Sequence, residues 1–194
     1  MGRKFAGAGM MAEGGKLYGW VASAFRMDDA TWARHASPWS VWTRVPIALL
    51  VVLAIWSRVW LGWWALLPVA LVGVWAWINP RAFPAPRSTD NWASHGVFGE
   101  RVWLARHRVA IPAHHRTVPH LLTAASGLGV LVLAWGLVEL DVAITALGLA
   151  LAMGAKLWFV DRMAWLYADM RDATPDYRAW QRPQPPAPEE GDPV

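Results

Sequence analysis

Six histidines, His35, His95, His107, His114, His115 and His120, stand among Arg34, Arg44, Asp90, Glu100, Arg101, Arg116, Asp161 and Arg162 in the polar segments of a very apolar chain. Neutral imidazole together with carboxylate is a ligand set for iron, zinc or copper. On that chemistry the candidate ligands are His35, His95, His114, His115 and Asp161. Their spacing argues against a metal box. The chain has no His-Glu-x-x-His, and His114-His115 followed by His120 fits no zinc signature. It also falls short of the several histidine boxes of membrane desaturases and hydroxylases. No metal is therefore assigned from sequence and no cofactor is expected.

The plainest reading is that these histidines cap helix ends, bond to phosphates or face solvent; as a ligand site, the same residues suit an anion better than a metal. Guanidinium, ammonium and imidazole groups bind phosphate and carboxylate, so the candidate ligand or headgroup contacts are Arg34, His35, Arg44, Asp90, Asn91, His95, Arg101, His114, His115, Arg116, Lys156, Asp161 and Arg162. Catalytic residues are not assigned. The absence of cysteine excludes disulfides, thiolate metal sites and a cysteine nucleophile. Neither a Gly-rich phosphate loop nor a serine nucleophile elbow is present.

The elements that must position these side chains are membrane helices. From Val45 to Asn79 the one charged residue is Arg58. About twenty apolar residues at about 1.5 Å per residue cross a hydrocarbon core of about 30 Å, so this run is long enough for two crossings. The pattern returns from Leu121 to Val138 and from Val142 to Val160, broken only by Glu139, Leu140 and Asp141. Lipid offers no partner for backbone N–H and C=O groups, which makes helices the expected solution. The expected fold is all-α and polytopic: four crossings, at about 38–57, 61–78, 121–138 and 142–160, arranged as two hairpins with short cytoplasmic interfacial helices.

Charge placement orients the hairpins. If the breaks at Arg58 and at 139–141 face one side, the other side carries Arg81, Arg87, Arg101, Arg106, Arg108 and Arg116 in the central segment alone. That asymmetry is the positive-inside pattern, so the central segment and both termini are expected in the cytoplasm and the protein in the cell's inner membrane. Trp39, Trp42, Trp56, Trp60, Trp63, Trp64, Trp75 and Trp77 gather near the predicted ends of the first hairpin, where an indole suits the headgroup region. A sequence pI of about 10.0 then calls for anionic lipid rather than nucleic acid.

Local punctuation refines the plan. Residues 1–27 are rich in Gly, Ala and Met and read as a weakly ordered extension without a cleavable signal peptide, Met27 being a plausible alternative start. Asp28 and Asp29 can cap a short helix through Ala36, and Ser37-Pro38 reads as an N-cap followed by proline at the first helical position. Pro46 and Pro68 fall inside the first two crossings and invite kinks. Residues 89–104 look helical, capped by Thr89 or Asp90 and buried on two sides. Phe159, Met163, Leu166 and Met170 extend the fourth helix as an amphipathic segment to about residue 173, covering the cytoplasmic ends of the other helices. Lys156 either snorkels outward or is a buried cation that holds an anion or pairs with Asp161 or a neighbouring helix. The four-helix domain thus occupies 28–173, and 174–194 reads as a Pro-rich disordered tail.

The strings WARHASPWSVWTR (Trp32 to Arg44), NPRAFPAPRSTDNWASHGVFGERVWL (Asn79 to Leu104), HHRTVP (His114 to Pro119) and KLWFVDRMAWLY (Lys156 to Tyr167) resemble a family of small Trp-rich integral membrane proteins of bacteria and archaea, a domain of unknown function. The resemblance covers Thr31 to about Asp172. It implies an integral membrane protein and assigns no reaction, cofactor or catalytic residue. Two classes of function follow from the residues. The favoured one is a non-catalytic membrane component whose cytoplasmic Arg/His/Trp rim binds anionic lipid headgroups, a membrane-protein partner or a second copy. The alternative is a small membrane enzyme, metal-dependent or not, acting on a lipid, a quinone or another apolar substrate. A transporter fits less well, since few polar residues fall near the midplane of the four crossings.

Overall fold

The computed structural model describes residues 28–183. The expected weakly ordered extension at 1–27 and the tail beyond 183 lie outside the described residues. Among the described residues every regular element is helical. In chain order they are α1 (Asp29–His35), α2 (Pro38–Arg44), α3 (Ile47–Trp56), α4 (Arg58–Leu61), a 3-10 turn (Gly62–Ala65), α5 (Leu66–Ala82), α6 (Trp92–Leu104), a second 3-10 turn (Ala113–His115), α7 (Val118–Glu139), α8 (Val142–Met170) and α9 (Pro175–Ala179).

Three stretches, 38–82, 113–139 and 142–170, are long and apolar enough to cross a membrane. Their outer surfaces carry Leu53, Trp60, Trp63, Leu66, Leu71, Leu131, Trp135 and Leu147 in the open. Water would penalise so broad an apolar belt, and hydrocarbon would not. These features mark a membrane protein. The first stretch is not one rod. Pro46, which has no N–H to donate, separates α2 from α3, and Gly62 at φ +54° reverses the chain before α5. The two ends of the stretch then meet: the Ser40 hydroxyl donates to Asn79 Oδ1 at 3.0 Å, and Asn79 Nδ2 donates to Thr43 Oγ1 at 2.7 Å. Pro68 sits in the first turn of α5 and does not interrupt it.

The second hairpin turns within two residues. Leu140 takes the left-handed conformation after α7, and the Asp141 side chain accepts from the Ile144 N–H at 2.8 Å to open α8. Gly129, Gly136 and Gly148 let the α7 and α8 backbones touch, since a Cβ at any of them would fall within 3.0 Å of the opposing backbone. Arg58 donates to the carbonyls of Leu137 and Val138 at the C-terminal end of α7, which places Arg58 beside the 139–141 turn.

With 29 residues α8 is about 43 Å long, well beyond a bilayer core. Its C-terminal part, from Phe159 on, carries Phe159, Met163, Leu166, Tyr167 and Met170, all buried, and α6 packs along it through Gly96 and Gly99. A core of Val97, Phe98, Val102 and Trp103 from α6 against these residues therefore closes the polar end of the molecule. The helix 92–104 is capped by Asn91, whose side chain accepts from the Ser94 N–H at 2.9 Å, and not by Thr89 or Asp90. Thr89 is instead buried and bonds to Arg182, its Oγ1 accepting from the Arg182 N–H at 2.8 Å. Residues 174–183, expected as the start of a disordered tail, fold back: Thr174 caps α9, Tyr167 donates to the Tyr177 carbonyl at 2.9 Å, and Trp180 stacks beside Phe98 and Tyr167. The aromatic pair Tyr177 and Trp180 carries enough apolar surface to dock a segment whose prolines suggest otherwise.

Candidate functional site

At the polar end of the bundle, the last turn of α2 carries Arg44. Its Nε donates to the Ser40 carbonyl at 3.0 Å, and its Nη1 reaches the ring of His35, the final residue of α1. Burial, reinforced by the Arg44 charge, pushes the His35 pKa down to about 3. The imidazole is therefore neutral at physiological pH and can accept from the guanidinium, fixing its direction. Across the gap, Lys156 Nζ donates to Glu100 Oε1 at 2.6 Å. Burial acts to raise the Glu100 pKa, but the Lys156 charge and hydrogen bond, with the Arg44 charge, outweigh it and hold the carboxyl below the usual range.

Arg44, Glu100 and Lys156 line one pocket of ≈ 180 Å³, whose other walls are Val41, Val45, Trp92, Val97, Met153, Leu157 and Val160. Two cations face one carboxylate, and His35 behind them is neutral, so the polar wall is net positive. The remaining walls are apolar and belong to α2, α6 and α8. Cations beside aliphatic walls are, as chemistry, suited to an anionic group that carries an apolar chain. Lys156 pairs with a neighbouring helix, while Asp161 accepts from the Trp92 indole N–H at 2.9 Å.

The other predicted contacts separate into distinct places. Arg34 is exposed near the end of α1. Arg101 pairs with Asp29 and lies over the Trp180 ring at 4.3 Å, lining a pocket of ≈ 430 Å³ with Thr89, Tyr177 and Arg182. Asp90 and His95 border a third pocket with Arg171, Gln181 and Arg182, and burial lowers the His95 pKa. Arg116 is exposed and donates to the Ile111 carbonyl at 3.2 Å. Arg162 lies over the Trp165 ring at 4.1 Å, and its Nε is buried with no hydrogen-bond partner.

His114 and His115 stay together, and the carboxylate they meet is Asp169. Their Nε2 atoms lie 3.0 and 2.9 Å from the same Asp169 Oδ2. Among the described residues this is the group of three ligand-type side chains close enough to share a metal ion. His35, His95 and Asp161, the other candidate ligands, are not part of it. Sequence reasoning missed Glu100 and Asp169 as site residues. A signal for Glu100 was present: it is the one acid of its helix, facing the one cation drawn into a predicted crossing. Asp169 falls on the polar face of an amphipathic helix, and nothing local to it points to a histidine pair 54 residues away.

No curated protein and no solved structure shows significant similarity to this chain. Residues 17–186 match a family described as being of unknown function, a longer match than the resemblance over 31–172. The chain belongs to that family, DUF6653.

Proposed function

We propose that this protein is a non-catalytic inner-membrane component that crosses the bilayer four times and holds an anionic lipid headgroup in the Arg44–Lys156 pocket on the cytoplasmic side. The carrying observation is the pocket itself: two cations at one wall, aliphatic side chains at the others, on helices whose outer faces suit hydrocarbon. The contact between Ser40 and Asn79 supports reading 38–82 as a hairpin of two crossings. The contact of Arg58 with the end of α7 supports a common, cation-poor side for both turns, and the arginines of the central segment then give the opposite side to the cytoplasm.

The test is lipid retention. Native mass spectrometry of detergent-solubilised protein titrated with phosphatidylglycerol or phosphatidylcholine should show at least a tenfold preference for the anionic lipid. Arg44→Gln and Lys156→Gln should each remove most of that preference while leaving the helical circular dichroism unchanged. Equal binding of both lipids by the natural chain, or an undiminished preference in both variants, overturns the reading.

A further inference from the structure

Outside the lipid pocket, two imidazoles and a carboxylate converge where the start of α7 meets the end of α8. His114 and His115 occupy the 3-10 turn that follows Pro112, and Asp169 lies in the last turn of α8. The three offer ligand atoms that all lie within 4.8 Å of one another. His115 is fully buried, its ring held edge-on by Trp165 with centroids 5.6 Å apart. Its Nδ1 has no hydrogen-bond partner, so the buried imidazole directs its polar chemistry at Asp169 through Nε2 alone.

From this geometry we propose that His114, His115 and Asp169 form a binding site for a divalent first-row transition-metal ion. The Nε2–Oδ2 separations of 3.0 and 2.9 Å match neighbouring ligands around such an ion. With metal–ligand bonds of about 2.1 Å, adjacent ligands lie about 3.0 Å apart at right angles and about 3.4 Å apart in a tetrahedron. Two neutral nitrogens and one carboxylate oxygen suit zinc, iron(II) or manganese, and the missing thiolates disfavour copper(I). Three protein ligands leave at least one position for water or an added ligand. The metal would tie the entry of α7 to the exit of α8, at a site independent of Arg44 and Lys156.

The experiment uses untagged full-length protein in detergent, stripped by chelator and titrated with cobalt(II) and then zinc(II). The expected result is one zinc per chain, bound at micromolar or tighter Kd, displacing a cobalt species with visible d–d absorption. His114→Gln and Asp169→Asn, both reaching the surface, should weaken zinc at least tenfold, whereas His107→Gln should not change it. The absence of stoichiometric zinc, or unchanged affinity in both ligand variants, overturns the site. Should either variant fail to fold, zinc-edge X-ray absorption of the natural chain decides: two imidazoles in the first coordination sphere support the assignment, and none refutes it.

Discussion

Ser40 donates to the Asn79 side chain at 3.0 Å across 39 residues of sequence, and Asn79 in turn donates to Thr43 at 2.7 Å. Ser40 and Asn79 are both fully buried, so three polar side chains satisfy one another between α2 and α5. In a helix pair surrounded by hydrocarbon, apolar contact with a neighbour gains little over contact with lipid. Such hydrogen bonds therefore help to decide which faces meet.

Replacing Asn79 with Ala should cost about 1–2 kcal/mol, combining a lost interhelical bond with an unpaired Ser40 hydroxyl. Thermal unfolding in detergent measures it as a lower Tm. A variant as stable as the natural chain would mean that this clamp does not hold α2 against α5.

The glycines of the second hairpin give a paired prediction. A Cβ at Gly148 would lie 2.2 Å from the Leu133 nitrogen, whereas one at Gly127 or Gly154 meets nothing within 4 Å. Gly148→Leu should therefore destabilise the hairpin by about 3 kcal/mol or more, and Gly127→Leu and Gly154→Leu should be tolerated. Equal Tm values for all three variants would contradict the close approach of α7 and α8.

How much of this was legible in the sequence depended on range. Hydropathy located the apolar stretches, because a helix in lipid must be apolar along its length; Asp28 and Asp141 marked helix starts by side-chain capping, and Pro38 marked one by its place at the first helical position, the Ser37 side chain making no cap bond. The amphipathic extension of α8 was readable for the same reason: its period is contained in one segment. Asn91 caps α6, whereas Thr89 accepts from the Arg182 N–H, a contact across 93 residues that no local pattern announces. The candidate site was legible as a list of residue types and not as a grouping. Arg44, Arg101 and Arg116 look alike in sequence, yet one lines the pocket, one is engaged by Asp29 and Trp180, and one lies in the open.

The acidic member of the pocket should act as a competitor. Glu100 occupies Lys156 at 2.6 Å, so an incoming phosphate must share that ammonium with a carboxylate. Glu100→Gln removes the negative charge at similar volume and should tighten anionic lipid about threefold to tenfold, a decade corresponding to about 1.4 kcal/mol. Competition between lipids in the same mass-spectrometric titration reads the change. Weaker binding in Glu100→Gln would show that the carboxylate organises the pocket instead of competing within it.

His35 predicts an acid sensitivity. Its pKa is about 3 in the folded protein against 6.5 in an unfolded chain, so between those values the unfolded state binds more protons. Stability contributed by the neutral ring is complete above about pH 6.5 and falls as the pH drops toward 3, by at most about 1.4 kcal/mol per pH unit. Unfolding measured from pH 7 to 5.5, above the range where most carboxylates titrate, should show this slope in the natural chain and a shallower one in His35→Gln. Identical slopes would remove His35 as the source.

A bilayer crossed four times, with both turns on one side and the arginine-rich segment on the other, predicts opposite accessibility for the two sides. Because the chain has no cysteine of its own, single cysteines can report each side without background. Trp63→Cys and Glu139→Cys should react with a membrane-impermeant maleimide added to intact cells, and Arg87→Cys should react only after permeabilisation. Labelling of Arg87→Cys from outside intact cells, or of Trp63→Cys and Glu139→Cys from opposite faces, would contradict it.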